Sequence, residues 1–254
     1  MDIVIATSRG AGLERHLREM GHNTRIIVNP GGKLAKMALQ TKDLLPPPHR
    51  HKLPTRIYFI AGIPDITEKY SSRSQSYNYT ECIYTELTTK TIQRVTQDIT
   101  HAEQHTKSLG AIPIFCTIAN MNIEKYNTSL INKRKTTLLN HSEHYQEMQR
   151  RLNITIDAVN AHIALTNRNN NMSTPFLHCA VKQRRGKSRN AYYIYAWDKL
   201  YDGVHGDDST KHTWARTLHI AMNKNIQALT QADTDSDTAS PKRSWRGEKR
   251  QRIA

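Results

Sequence analysis

The chain has few cysteines, few aromatic residues, few acidic residues and no long apolar run. Its three cysteines, Cys82, Cys116 and Cys179, are widely spaced over 254 residues. An odd and scattered set implies no disulfide framework and shows no metal-type pair. Nothing beside Cys116, in the run Ala111-Ile112-Pro113-Ile114-Phe115-Cys116, would lower a thiol pKa. It reads as a small buried strand residue rather than a nucleophile. No apolar stretch approaches the roughly 18 residues that span a bilayer. Asp2 has the wrong charge for the start of a secretory leader, so we expect an intracellular protein, nuclear or cytoplasmic. The five Asn-x-Ser/Thr sequons, at Asn78, Asn127, Asn140, Asn153 and Asn171, then read as chance products of an Asn- and Thr-rich chain. No cofactor loop is expected, because Gly10-Ala11-Gly12 lacks the third glycine and the acidic partner of a dinucleotide site. No metal site is expected either. His49-Arg50-His51 is too closely spaced, and His101 with His105 lacks a third ligand.

The shortage of acidic residues has a consequence for partners. Against 37 Lys and Arg there are 22 Asp and Glu, a net charge of +15. Such a balance points to an acidic partner, most simply nucleic acid. A solvated basic surface with no specific polyanion is the plainer alternative. Part of the charge is local: residues 241–254 hold six basic residues against Glu248 alone. The rest is spread over the body. At 37% hydrophobic residues, the composition allows one core and one domain.

The first third of the chain alternates between strands and helices. Asp2 to Thr7 reads as a buried strand, Gly12 to Met20 as a helix closed by Gly21, and Thr24 to Val28 as a second strand. Asn29-Pro30-Gly31-Gly32 is a turn, Lys33 to Gln40 a helix, and Leu44 to Leu53, with three consecutive prolines, a loop. Arg56 to Ala61 is a third strand, and Gly62-Ile63-Pro64-Asp65 turns away from it. A polar stretch, Ser71 to Thr80, precedes a helix over about Ile83 to Ser108. Ala111 to Ile118 is a fourth strand and Ser142 to Asn167 a long helix, with Met148, Leu152, Ile156, Val159 and Ile163 at helical spacing. Thr174 to Val181 is expected as a short strand, 182–190 as a basic loop, and Lys211 to Leu229 as the last helix. This alternation implies an α/β domain over 1–230 with a parallel sheet covered on both faces. Residues 231–254, first acidic and then basic, read as a disordered tail.

Ligands of open α/β sheets bind at the C-terminal edge of the strands. Ser8, Gly31-Gly32 and Gly62-Ile63-Pro64-Asp65 all fall there, and Asp202-Gly203-Val204-His205 just precedes the last helix. A Ser and an Asp-x-x-His can form a Ser/His/Asp constellation whatever their order in the chain. The plainer readings are that Ser8 caps the following turn and that Asp202 is an Asx-turn residue.

These four blocks, in this order, resemble the SGNH hydrolases, the GDSL-like esterase superfamily. The resemblance spans residues 1–229 in outline and implies a three-layer sandwich with a flavodoxin-like sheet. It also implies an ester hydrolase for acetyl or short acyl groups, working through an acyl-serine. Ser8 would be the nucleophile, His205 the general base and Asp202 its orienting carboxylate. Gly32, or less favourably Gly31, would give an oxyanion-hole N–H beside that of Ser8. Two departures stand out. The Gly-Asp-Ser of the family is Ala6-Thr7-Ser8 here, and the Asn of its Gly-x-Asn-Asp is Pro64. Proline offers no N–H and no side-chain donor, so the site is a slow esterase, a hydrolase with altered geometry or a relic in a binding protein. Asn120, after the fourth strand, is a conceivable replacement. Trp197 and Tyr201 read as core or pocket wall.

A second class of function is a non-catalytic protein of the same fold that binds nucleic acid. Lys182, Arg184, Arg185, Lys187 and Arg189 stand beside Tyr192, Tyr193 and Tyr195, a mixture suited to phosphate contact and base stacking. Lys242, Arg243, Lys249, Arg250 and Arg252 would add a basic arm or a signal for a nuclear-import receptor. SGNH-like domains also occur in proteins of some retrotransposons and viruses, where such a tail would fit.

Overall fold

The computed structural model describes residues 1–45, 54–73, 78–83, 88–134, 145–186 and 192–238. Its centre is a four-stranded parallel sheet built from β1 (Asp2–Ala6), β2 (Arg25–Val28), β3 (Arg56–Ile60) and β6 (Ile112–Phe115). The strand order is β2-β1-β3-β6. In β1 and β3 every residue is buried, as a strand covered on both faces requires.

Alternation along the strands divides the core into two layers. Ile3, Ile5, Ile57, Phe59 and Phe115 face α2 (Leu34–Leu39), α5 (Thr88–Ser108) and α7 (Tyr145–Asn169), meeting Met37, Val95, Ile99, Ile156 and Val159. Val4, Tyr58, Ile60 and Ile114 face the other way, toward α1 (Leu13–Glu19) and α8 (Asp208–Thr238), where they meet Leu17, Trp214 and Leu218. Two single-turn helices, α3 (Thr41–Leu44) and α4 (Ile63–Ile66), lie in the connections before and after β3. The result is the expected three-layer α/β/α sandwich. The register, Ile3 opposite Ile57 and Tyr58 opposite Ile114, is fixed by this burial. A one-residue slip would exchange the two faces.

The edge strand β6 is closed by side chains. Asn167 of α7 accepts the Phe115 N–H at 3.0 Å and donates to the Phe115 carbonyl at 2.8 Å. Asn160, two turns earlier, makes the same pair of bonds to Ile118. Both amides are buried and take the place of a fifth strand's backbone.

Several elements differ from expectation. Thr174 to Val181 is not a strand: Leu177–Val181 forms a 3₁₀ turn. Pro175 has no N–H to give a ladder, and the Leu177 carbonyl instead accepts the Trp214 Nε1–H at 3.0 Å. Residues 182–185 are not loop but β7 (Lys182–Arg185), paired antiparallel with β8 (Tyr192–Tyr195). The stretch read as polar connection and helix start is a second hairpin, β4 (Glu68–Arg73) with β5 (Asn78–Ile83), so α5 begins at Thr88 rather than Ile83. A helix not anticipated, α6 (Ile123–Arg134), follows β6. The Asn122 side chain caps it by accepting the Lys125 N–H at 2.8 Å. The last helix runs past Leu229 to Thr238, with no Gly or Pro to stop it. The proline loop at 46–53, His49 and His51 within it, lies outside the described residues.

Candidate active site

Ser8 is placed by the end of β1. The strand pairing continues one residue further through Thr7 N–H to the Ile60 carbonyl at 2.9 Å. The chain then turns sharply through Ser8–Gly10. Gly10 is required in this turn, since a Cβ there would lie 2.2 Å from the Ala6 Cβ. The turn leaves the Ser8 side chain over the C-terminal edge of the sheet, at the point where strand order reverses between β1 and β3.

The Asp202–His205 loop reaches the same point from the other end of the chain. Gly203 takes a left-handed φ of +84°, and its carbonyl accepts the Asn122 N–H at 2.8 Å. Tyr201 N–H bonds the His205 carbonyl at 3.0 Å, closing the loop. One oxygen of Asp202 accepts the N–H groups of Val204 (3.1 Å) and His205 (2.8 Å), and the other lies 2.8 Å from His205 Nδ1. Burial pushes the Asp202 carboxyl upward. The His205 ring and these two N–H groups outweigh it and hold the carboxyl well below the usual carboxylate range. With Nδ1–H given to Asp202, His205 Nε2 is the acceptor, and it lies 2.8 Å from Ser8 Oγ. Residues 197 positions apart thus form one hydrogen-bonded line, Ser8–His205–Asp202.

This line opens on a cavity of about 460 Å³ whose walls include Ser8, Gly31, Pro64, Tyr126 and His205. The glycines differ in role from expectation. The Gly32 N–H bonds the Asn29 carbonyl at 2.9 Å and closes the Asn29–Gly32 turn, so it faces away from the cavity. Gly31 lines the cavity instead, with a left-handed φ of +69°. Asn120 is not a replacement donor: its Nδ2 donates to Asn153 Oδ1 (3.0 Å) and Tyr195 OH (3.2 Å). Pro64 lines the same cavity.

Arg9 is a further residue of the site that sequence reasoning missed. It is only 5% exposed. Its guanidinium donates to the carbonyls of Ala119, Asn120 (3.1 Å) and Val204 (3.1 Å), tying the loop after β6 to the Asp202–His205 loop. Burial lowers its pKa to about 9, while Asp202 favours its charge, so it remains a cation at neutral pH. An arginine directly after the serine was visible in the sequence, but its burial was not.

Of the residues read as a nucleic-acid surface, Lys182 is held by Asp157 at 3.1 Å and lies over the Tyr195 ring. Arg184 and Arg185 are exposed on β7. Lys187, Arg189, Lys242, Arg243, Lys249, Arg250 and Arg252 lie outside the described residues. Trp197 stacks on Tyr195 at 4.6 Å, whereas Tyr201 is 58% exposed and stacks on His205. No group of three or more metal-ligating side chains occurs among the described residues.

Solved structures share this architecture. A Bacteroides fragilis protein described as an acylhydrolase superimposes with a TM-score of 0.51 at 11% identity, over 91% of this chain and 86% of that one. A GDSL-like lipase of Bacteroides thetaiotaomicron gives 0.50 at 11% identity, over 91% and 88%. The chain has the SGNH-hydrolase fold. A Parabacteroides merdae protein described as a GDSL-like lipase gives 0.50 at 12% identity, over 88% and 95%. No family model and no curated protein sequence matches the chain. On the SGNH-type scaffold the Ser8 turn, the Gly31 turn, the Pro64 turn and the Asp202–His205 loop all sit at one edge of the sheet.

Proposed function

We propose that the protein is a serine ester hydrolase that removes an acetyl or short acyl group through an acyl-serine intermediate. One observation carries the reading: the Ser8–His205–Asp202 line, with both hydrogen bonds at 2.8 Å, opening on the cavity. In the first step Ser8 Oγ attacks the ester carbonyl carbon while His205 Nε2 takes the hydroxyl proton. Asp202 keeps the imidazole in the required tautomer and offsets its positive charge. The oxyanion meets the N–H groups of Ser8 and Gly31. The tetrahedral species collapses as His205 returns the proton to the departing alcohol. Water, activated by the same histidine, then releases the acid and restores Ser8.

Fluorophosphonate labelling and turnover of an activated acetyl ester test this. Wild-type protein labels at Ser8, and Ser8→Ala and His205→Ala abolish both labelling and turnover. Asp202→Asn is expected to lower kcat by roughly 10⁴, because the wrong tautomer is held. Folded wild-type protein that neither labels nor turns over ester would refute the proposal.

A further inference from the structure

The β7–β8 ribbon has features that the hydrolase site does not use. Between Lys182 and Tyr195 the sequence holds five basic residues, three tyrosines and no carboxylate. The register places Arg184 opposite Tyr193 and Arg185 opposite Tyr192. Directly paired residues of antiparallel strands share a face, and neighbours along a strand alternate. Each face of the ribbon therefore carries one Arg–Tyr pair. Tyr192 and Tyr193 are 60% and 67% exposed, so neither ring belongs to the core. Arg184 and Arg185 have no ion-pair partner among the described residues, in contrast to Lys182.

The base of the ribbon is fixed while its arginines face solvent. Lys182 pairs with Asp157 of α7 and lies 5.6 Å from the Tyr195 ring centre. Tyr195 stacks on Trp197 and its hydroxyl accepts from Asn120. Rigid anchoring at one end lowers the entropy lost when a ligand docks on the other.

From this arrangement we infer that the ribbon is a binding surface for single-stranded nucleic acid. Unpaired arginines meet backbone phosphates, and open tyrosine rings stack on bases, which only an unpaired strand exposes. An anionic membrane would favour an apolar face opposite a charged one, whereas here both faces carry the same mixed pair. The net charge of +15 supplies the long-range attraction.

The test uses the full chain and fluorescence anisotropy with labelled oligothymidylate and oligouridylate. Wild type binds, with an affinity that falls as salt rises. Arg184→Ala with Arg185→Ala reduces the magnitude of the log–log salt slope by about 1.4, roughly 0.7 for each single-strand phosphate that is no longer neutralised. Tyr192→Ala with Tyr193→Ala weakens binding by roughly tenfold or more and leaves the slope in place, while the two Tyr→Phe changes retain affinity. Duplex of the same length binds more weakly. Every variant keeps the wild-type circular-dichroism spectrum and thermal midpoint, which report folding whether or not Ser8 labels and so keep this outcome separate from the hydrolase reading. The inference is overturned if wild-type binding is absent or salt-independent. It is equally overturned if binding survives both ribbon variants and disappears only when Lys242, Arg243, Lys249, Arg250 and Arg252 are changed to Gln.

Discussion

Arg9 and Pro64 are the two residues at which this site differs most from a simple Ser/His/Asp arrangement. Arg9 bonds the Val204 carbonyl, one residue before His205. Replacing it with Met leaves buried carbonyls at Ala119, Asn120 and Val204 without their donor, at about 1–3 kcal/mol for each group left unsatisfied. We expect Arg9→Met to lower kcat and the rate of Ser8 labelling while KM changes little. Arg9→Lys should recover part of the rate, because one ammonium reaches some but not all of the three carbonyls. A rise in KM at unchanged kcat would show that Arg9 does not position the triad. Pro64 poses the converse case. An oxyanion donor is worth roughly 10²–10³ in kcat where its loss has been measured, so Pro64→Asn should raise kcat by about tenfold or more. An unchanged kcat in a folded Pro64→Asn protein would mean that the oxyanion does not face this wall. Ser8, Asp202 and His205 were legible because chain order and spacing are written in the sequence. The choice between Gly31 and Gly32 was not, because it depends on which N–H closes the turn onto Asn29.

At the level of elements, Asp65 joins two of the loops that border the cavity. It is 2% exposed. One oxygen accepts the Leu34 N–H at the start of α2 (2.9 Å), and the other has no partner among the described residues. Burial pushes its pKa up to about 6, with Asp98 adding to the shift and the Leu34 N–H, Lys33 and Arg94 opposing it. The folded state therefore keeps this proton to higher pH than the unfolded chain does. The stability contributed by neutral Asp65 is complete below the unfolded value of 3.8 and is lost as pH rises through about 6. Asp65→Asn stays neutral, so it should gain stability relative to wild type between about pH 4 and pH 7. Urea midpoints of both proteins at the two ends of that range check this, and a constant difference would count against it. The elements that escaped the sequence reading share a cause. β4, β5 and α6 carry few apolar residues, so periodicity gave no signal, although Tyr79, Thr80 and Ile83 suit a strand and Asn122 is a helix cap.

At the scale of the whole molecule, a strongly basic surface surrounds two apolar layers that differ in composition. The layer under α5 and α7 is largely aliphatic, with Phe59 and Phe115 stacked at 5.3 Å. The layer under α1 and α8 contains polar groups that must be paired: Trp214 with the Leu177 carbonyl, and Tyr58 with Asn225 at 3.2 Å. Asn225, 167 positions after Tyr58, also accepts the Ser173 N–H at 2.6 Å, so α8 fixes the segment that failed to become a fifth strand. By itself the sequence determined the α/β class, the parallel strands and the order of the motif blocks. Local apolar periodicity and turn residues are properties of adjacent positions, and they survive in a linear reading. Only the tertiary structure decided that Asn160 and Asn167 close the sheet edge, that Arg9 is buried against three carbonyls and that Gly31 faces the cavity. It also decided that arginine and tyrosine share each face of the β7–β8 ribbon. Each of these depends on which groups remain without a partner once distant segments have packed, and no window of sequence contains that information.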